Sequence, residues 1–331
     1  MDRRRFLATA GAGALALAFD PLALAGRLGG TWLAFVTADL ESHVVVLDLG
    51  SLEPRKRIRT APGPRSIESV HGRVAVVGHT EHGLVTLIDA LTTRVFAPPP
   101  GMNLIRAELD GFEAPRYTAG HPRLPLAYVT DSAAEEVVVV DVSRGRILWR
   151  TRVPGPARHI SIGPDGRTLW TALGNASARV AVLDTSDPRR PRLARTIAPP
   201  FLAHDVVFAP DGRTVWVTSG SERRISLYRD ASRPWRLLDA GAPPQHVGVT
   251  GPRIFVASGD DGTVRRHRSD GRLVREARVP SGSYNVTVGM GLVVTPSLVG
   301  GTVCQLDHSG RVRRTRKVAR AAHDACIVLG P

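Results

Sequence analysis

The chain has 331 residues, a formal net charge of +14 and two cysteines. Two cysteines are too few for a disulfide scaffold or for a zinc site built from paired cysteines. Lys56 and Lys317 are the only lysines, and the many arginines are scattered among glycine, alanine, proline and valine. Because aromatic residues make up only 5% of the chain and few are interleaved with the basic ones, we expect no nucleic-acid partner.

Residues 1–25, MDRRRFLATAGAGALALAFDPLALA, are predicted to be a signal peptide. A basic start and an apolar stretch precede Ala23-Leu24-Ala25, which fits an A-x-A cleavage site. Arg3-Arg4-Arg5-Phe6-Leu7 resembles the twin-arginine export motif R-R-x-F-L. An ordinary secretion signal or an uncleaved anchor is the alternative. We expect residues 26–331 to form one domain, exported in the folded state to the periplasm or secreted, and no later stretch is long and apolar enough for a membrane span.

The remaining chain repeats itself at intervals of roughly 40 residues. GPDGRTLWTALG (163–174) and APDGRTVWVTSG (209–220) match almost residue for residue. Seven short apolar runs carry an equivalent aromatic or aliphatic marker, namely Phe35, Val76, Tyr128, Trp170, Trp216, Phe255 and Val293. A second apolar run ends 13 or 14 residues after each marker, at Asp48, Asp89, Asp141, Asp184, Arg229, Arg268 and Asp307. This nearly constant distance predicts a hairpin inside every unit.

Each unit has the pattern of four short strands. The strands alternate apolar and polar residues, are rich in valine, isoleucine and threonine, and are bounded by glycine, proline and aspartate turns. Pro-Asp-Gly at 164–166 and 210–212 suits a tight reversal, because proline fixes one dihedral angle and glycine tolerates a positive φ. Four strands in each of seven units predict an all-β, seven-bladed β-propeller, with six or eight blades as alternatives.

The two ends of the repeat region predict how the ring closes. TWLAFVTA (31–38) has the pattern of the second strand of a unit, and AHDACIVLG (322–330) that of a first strand. The C-terminal strand is therefore expected to complete the N-terminal blade, since an open ring would leave sheet edges exposed. Residues 98–114 are predicted to form an inserted loop, a candidate for contact with a partner.

Several of these motifs are similar to those of a known propeller family. Tyr128-Val129-Thr130-Asp131, VVVVDV (137–142) and the two Pro-Asp-Gly turns resemble the YVTN-repeat family of bacterial extracytoplasmic propellers, which includes YncE-like proteins. The resemblance spans nearly all of residues 26–331. It implies the blades but no specific chemistry, because the family's folds include ligand binders, subunits of periplasmic dehydrogenases and a haem-carrying nitrite reductase domain.

The first strand of each blade lines the central channel, and the residues that lead into it border one face. Aligning the seven first strands gives equivalent pairs, which are Arg65-Ser66, Arg116-Tyr117, Arg158-His159, His204-Asp205, Gln245-His246, Tyr284-Asn285 and His323-Asp324. The tripeptide Ala-His-Asp occurs in two of these places, at 203–205 and 322–324, three blades apart. We call the seven pairs the rim residues.

The rim residues predict a ligand site at the mouth of the channel. The candidates for ligand binding are Arg158, His159, His204, Asp205, His246, Asn285, His323 and Asp324. Histidines at this place also suit a divalent metal, with His204, His246 and His323 as the candidate ligands. A structural role, in which rim side chains bond the neighbouring blade, explains the same pattern. His204 and Asp205 are not expected to form a catalytic dyad, because adjacent residues of a strand point to opposite faces.

The sequence favours a binding or scaffold protein over an enzyme. We expect a monomer that holds a small molecule or another exported protein at the channel mouth or on the loop face. One alternative is a metal-assisted lactonase or lyase, in which rim histidines hold the ion or act as general base. Another is a propeller that binds haem or copper through the same histidines. Glu68, in the first strand of the second blade, is a weaker channel candidate, and a disulfide between Cys304 and Cys326 is left open.

Overall fold

A computed structural model describes residues 30–90, 105–229 and 232–330, so the predicted signal peptide lies outside the described residues. Within these ranges, 28 strands form seven four-stranded antiparallel sheets. Strand order in each sheet follows the chain, apart from the strand that closes the ring. The prediction of an all-β, seven-bladed propeller is confirmed.

The blades are numbered from the N-terminus, and in each the innermost strand is given first. Blade 1 contains β28 (Ala325–Gly330), β1 (Thr31–Ala38), β2 (His43–Asp48) and β3 (Pro54–Arg59); blade 2 contains β4 (Ser66–Val70), β5 (Val74–His79), β6 (Leu84–Asp89) and β7 (Ile105–Leu109). Blade 3 contains β8 (Pro115–Gly120), β9 (Leu126–Asp131), β10 (Glu136–Asp141) and β11 (Arg146–Arg152); blade 4 contains β12 (Ile160–Ile162), β13 (Thr168–Ala172), β14 (Val180–Asp184) and β15 (Arg192–Ile197). Blade 5 contains β16 (Val206–Phe208), β17 (Thr214–Thr218), β18 (Arg224–Arg229) and β19 (Arg236–Asp239); blade 6 contains β20 (Val247–Thr250), β21 (Arg253–Ser258), β22 (Thr263–Arg268) and β23 (Leu273–Arg278). Blade 7 contains β24 (Thr287–Gly289), β25 (Leu292–Pro296), β26 (Thr302–Asp307) and β27 (Val312–Lys317).

The ring closes through pairing of the chain's two ends. β28 pairs antiparallel with β1, and Phe35 lies opposite Cys326 in this register. The C-terminal strand thus completes the N-terminal blade, as predicted. Every blade of the described ranges therefore has a neighbouring blade on both sides.

The core consists of apolar clusters between neighbouring blades. The cluster between blades 1 and 2 contains Phe35 and Ile67, and the cluster between blades 7 and 1 contains Val294 and Ile327. Equivalent clusters fill the other five gaps. Fully burying one such aliphatic or aromatic side chain stabilises the fold by about 1.5–3 kcal/mol, so the marker residues hold the ring together.

The outer strands carry much of the exposed basic charge. β3 (PRKRIR), β23 (LVREAR) and β27 (VRRTRK) are exposed at most of their positions. Each is the edge of its sheet, and charged side chains on an edge strand oppose pairing with another sheet. This placement gives the arginine-rich sequence a structural role at the perimeter.

The inserted loop predicted at 98–114 is partly wrong. Ile105–Leu109 is β7, the outer strand of blade 2, and Leu109 lies opposite Val85 of β6. An edge strand is packed on few sides and needs little apolar alternation, which is why IRAEL gave a weak strand signal. Residues 110–114 form the connection to β8, and 98–104 lie outside the described residues.

Helical structure is limited to single turns in the described ranges. α1 (Gly174–Ser177) and a 3-10 turn (Thr80–His82) both lie in loops between the second and third strands of a blade. No helix in the described ranges is long and apolar enough to cross a membrane. Cys304 and Cys326 are buried free thiols in different apolar clusters, so they do not form a disulfide.

Candidate functional site

The two Ala-His-Asp tripeptides occupy the same structural place in blades 5 and 1. In blade 5 the backbone nitrogen of His204 donates to the carbonyl oxygen of Thr218 (2.8 Å), and the nitrogen of Thr218 donates to the carbonyl of Asp205 (3.0 Å). The same two bonds join His323 and Asp324 to β1 in blade 1. The alignment of rim residues made from the sequence is therefore matched by the backbone hydrogen bonds.

Each of these aspartates links its blade to the next one. Oδ2 of Asp205 accepts a hydrogen bond from the backbone nitrogen of Val247 (2.9 Å), at the start of the inner strand of blade 6. Oδ2 of Asp324 accepts one from the backbone nitrogen of Ile67 (3.1 Å), in the inner strand of blade 2. The second oxygen of each carboxyl accepts from the nitrogen of the following residue. The aspartates therefore have a structural role.

Burial raises the pKa of the carboxyl groups of the channel into the neutral range. It raises the pKa of Asp205, Asp324 and Glu68 to about 7 in each case. Backbone hydrogen bonds to the carboxyls oppose this increase, while the charge of Asp324 raises the pKa of the other two further. Near neutral pH these groups carry only part of their negative charge.

Three rim histidines from consecutive blades lie together at the channel mouth. His159 of blade 4 lies between His204 of blade 5 and His246 of blade 6, with ring centroids 4.5 Å and 4.3 Å away. Nε2 of His159 and Nε2 of His246 are 3.2 Å apart. One nitrogen from each of the three rings lies within 4.8 Å of the others. We call these three residues the histidine group.

His323 and Asn285 make different contacts, between blades. Nδ1 of His323 donates to the carbonyl oxygen of Arg65 (2.9 Å), and Nδ1 lies 4.0 Å from a carboxylate oxygen of Asp39. Nδ2 of Asn285 donates to the carbonyl oxygen of His323 (2.8 Å). The structure thus brings His204 and His246 together with His159, and it places His323 against the backbone of blade 2.

The rim histidines are uncharged near neutral pH. Burial lowers the pKa of His159 and His246 well below the ordinary value, and neighbouring positive charges lower it further. Burial likewise lowers the pKa of His204 to about 4 and that of His323 to about 3. A neutral imidazole offers one N–H donor and one lone pair, so each ring can donate to a ligand or bind a metal.

Tyr117 lies against the histidine group, although the sequence did not single it out as a candidate ligand. Its ring lies 3.9 Å from that of His159 (centroid to centroid), and its hydroxyl is 3.4 Å from Nε2 of His246. Burial raises the pKa of the phenol, so it remains protonated. Its place in the aligned rim pair of blade 3 was the signal that could have identified it.

Three rim arginines occupy consecutive blades, and we call Arg65, Arg116 and Arg158 the arginine group. Burial lowers the pKa of Arg116, and the positive charges of Arg158 and Arg65 lower it further. Arg65 forms an ion pair with Asp39 (3.3 Å), and Nε of Arg116 donates to Oγ of Ser132 (3.3 Å). Nε of Arg158 is buried without a hydrogen-bond partner. Among residues 30–90, 105–229 and 232–330, no carboxylate pairs with Arg116 or Arg158.

A groove of about 800 Å³ lies between blades 4 and 5, away from the rim. Trp170 and Phe208 line it together with the two Pro-Asp-Gly turns. Those turns follow the inner strands of blades 4 and 5, whereas the rim residues precede them. The groove therefore lies at the C-terminal ends of the inner strands, whereas the histidine and arginine groups lie at their N-terminal ends.

Comparison with known proteins gives the family. Residues 125–323 match the family described as outer membrane protein assembly factor BamB. The chain belongs to that family. Hydrazine synthase from Kuenenia stuttgartiensis is a structural neighbour of this BamB-family chain, with a TM-score of 0.70, 15% identity, and coverage of 82% of this chain and 91% of the other. At that identity the likeness shows the fold alone, and no curated protein matches at a significant level.

Proposed function

We propose that this BamB-family propeller is a binding protein that holds a small anionic molecule at the channel mouth. The observation that carries the proposal is the arginine group, in which Arg116 and Arg158 lie close to each other's charge without a carboxylate partner in the described ranges. Like charges repel, and burial increases the cost of each. A bound anion between the guanidinium groups removes this cost.

Carboxylates and phosphates are the anions that guanidinium groups bind best, because both accept paired hydrogen bonds from the planar fork. The charge of Glu81 acts on Arg116, but Glu81 is exposed and forms no ion pair with it in the described ranges, which leaves the arginines open to an external anion. Asp205 and Asp324 have pKa values raised to about 7, and their oxygens already accept backbone hydrogen bonds. The hydroxyl of Tyr117 and the N–H groups of neutral histidines supply further donors beside the arginines.

The binding site is tested by isothermal titration calorimetry with citrate and with inorganic phosphate, at low salt and pH 7.5. We expect at least one of these anions to bind the wild-type chain. Arg116→Gln and Arg158→Gln should each weaken that binding at least tenfold, since a hydrogen bond to a charged group contributes about 1.5–3 kcal/mol. Arg152→Gln, at an exposed position of β11 in blade 3, is the matched control and should bind like wild type. Absence of binding to both anions, or equal binding in all four proteins, would overturn the proposal.

We also propose that the protein acts in the periplasm or after secretion, as a monomer with no nucleic-acid partner. The family description names an outer membrane assembly factor, and residues 1–25 resemble a twin-arginine signal. The resemblance of the repeats to YVTN and YncE-like propellers supports the same compartment. Arg3→Lys with Arg4→Lys should leave the chain in the cytoplasm if the twin-arginine route is used, as measured by cell fractionation. Unchanged export of the double variant would contradict that route.

A protein partner on the loop face is a second candidate function. The family description names an assembly factor, and two apolar side chains are exposed on the face that carries the rim. Leu40 is 63% exposed and Val299 is 70% exposed, in the loops between the second and third strands of neighbouring blades 1 and 7. A photo-crosslinking residue at either position should capture the same protein. Leu237, which is 53% exposed on the outer strand β19, is the control position and should not capture it.

A further inference from the structure

We infer that the histidine group binds a divalent transition metal such as zinc or copper, with His159, His204 and His246 as its ligands. A protein-bound zinc ion is commonly held by three imidazoles, with a fourth position left for water or a substrate. The three rings come from blades 4, 5 and 6, so the assembled ring of blades creates the site. The inference does not rest on the proposed anion site, because that site depends on the arginine group.

The spacing of the ring nitrogens fits a metal ion with one adjustment. Metal–nitrogen bonds are about 2.0–2.1 Å long, so two ligand atoms of a tetrahedral ion lie roughly 3.3 Å apart. Nε2 of His159 and Nε2 of His246 are already 3.2 Å apart. The nitrogens of the group extend over as much as 4.8 Å, so the largest separation must shorten by about 1.5 Å. His204 is the least buried of the three, and we assign the movement to it.

Buried histidines outside the group donate a ring nitrogen to a backbone carbonyl oxygen, whereas among the three rings only that of His159 interacts with backbone in the described ranges, at His204. Nδ1 of His79 donates to the carbonyl oxygen of Pro62 (2.9 Å), and Nδ1 of His267 donates to that of Gly271 (3.1 Å). His323, the repeat equivalent of His204, donates to a carbonyl oxygen as well.

Within the histidine group, His246 has polar neighbours outside the group, the hydroxyl of Tyr117 (3.4 Å from Nε2) and the carboxylate of Asp205 (3.6 Å from Nδ1), whereas the rings of His159 and His204 have fewer. Nε2 of His159 and Nε2 of His246 face each other, and Nδ1 of His159 is buried without a partner. The ring of His204 has no hydrogen bond to any residue in the described ranges. Buried polar groups are normally satisfied, and a metal ion would place a partner beside the one ring of the group that has a buried, unpaired nitrogen, His159.

Asp205 and Gly220 suit a metal in this place, while the positive charge of Arg158 acts against one. Oδ2 of Asp205 lies 3.6 Å from Nδ1 of His246. The other ring nitrogen of His246, Nε2, is the one that faces His159. A carboxylate behind a ligating imidazole commonly fixes which nitrogen carries the proton and leaves the other free for the metal. A β-carbon at Gly220 would lie 2.6 Å from Cβ of His204, so glycine at this position leaves room for that side chain.

The test uses the purified full chain after removal of metals with a chelator. Titration with cobalt(II) is followed by visible absorption, and zinc(II) affinity is measured by competition with a chromophoric chelator. We expect one metal per chain, with cobalt bands typical of nitrogen ligands in a four-coordinate site. His204→Ala and His159→Ala should weaken zinc binding at least roughly 100-fold, since even outer partners of a ligand contribute about 10–100-fold.

His323→Ala is the matched control, because it removes the other histidine of the repeated tripeptide at the same place in a blade. Zinc affinity of this variant should stay within about threefold of wild type, and circular dichroism should confirm that all variants are folded. Equal losses in His204→Ala and His323→Ala would overturn the ligand assignment. A folded wild-type chain that binds neither metal would overturn the site. Arg116→Gln should retain zinc binding, which separates failure of the metal site from failure of the anion site.

Discussion

The carboxylate of Asp205 accepts a hydrogen bond from the backbone nitrogen of Val247, 2.9 Å away at the start of the next blade's inner strand. Asp324 repeats this contact with Ile67 three blades further round the ring. The aspartates of the two Ala-His-Asp tripeptides therefore have the same structural role, which is to connect neighbouring blades. The histidines differ, since His204 joins the histidine group and His323 binds backbone.

Removing the interblade carboxyl should destabilise the ring. Asp324→Ala leaves the buried nitrogen of Ile67 without its acceptor, and we expect a loss of about 1–3 kcal/mol in the free energy of unfolding. Asp324→Asn keeps one of the two accepting oxygens and loses the other, so it should lose less stability than Asp324→Ala. Urea unfolding followed by tryptophan fluorescence measures both. Unchanged stability of Asp324→Ala would mean that the contact does not stabilise the ring.

The half-buried carboxyl of Glu68 should make stability depend on pH. Burial raises its pKa from 4.5 to about 7, so between these values the folded chain binds more protons than the unfolded chain. Stability from this group is therefore greatest at low pH, decreases as pH rises through that range and levels off above it. Glu68→Gln should consequently gain stability relative to wild type between pH 5 and pH 8. Glu108→Gln, exposed on β7, is the control and should show no such gain.

Alanine substitutions at Gly220 and Gly251 test whether the space beside His204 is needed for the site. Both have a positive φ, but a β-carbon at Gly220 would clash with His204, whereas one at Gly251 has nothing within 4 Å. Gly251→Ala should cost only the backbone penalty of about 1–2 kcal/mol. Gly220→Ala should cost more and should also weaken zinc binding. Equal stability losses with unchanged zinc affinity in both variants would contradict this account of the site.

Both cysteines should react as free thiols only after unfolding. Cys304 and Cys326 are 1% exposed, and burial raises the pKa of both. Ellman's reagent should therefore detect almost no thiol in the native chain and two in unreduced, denatured chain. A denatured chain with no free thiol would mean that the pair is oxidised.

The blades could be predicted from the sequence because their signals are local and repeated. The marker residues, such as Trp170 and Trp216, are buried between blades in every repeat, so burial enforces the pattern. The outer strand β7 was missed because an edge strand of mixed polarity carries no such constraint. The prediction thus failed at a strand that has few packing contacts to constrain its sequence.

The composition of the histidine group could not be predicted from alignment. The alignment gives the place of a residue around the ring but not the direction of its side chain. His204 and His323 share a backbone position, yet Gly220 makes room beside the first, and the backbone of Arg65 accepts a hydrogen bond from the second. Those differences arise from loops of neighbouring strands and blades, which a single repeat unit does not contain.

Ligand binding at the channel mouth is tested most directly by calorimetric titration of citrate and phosphate into wild type and into the Arg116→Gln, Arg158→Gln double variant. We expect saturable binding of one anion per wild-type chain that weakens as salt is added, because the attraction is electrostatic. The double variant should show no saturable binding while retaining the wild-type circular dichroism spectrum. Identical isotherms for the two proteins, or no binding by wild type, would contradict an anion site at the arginine group.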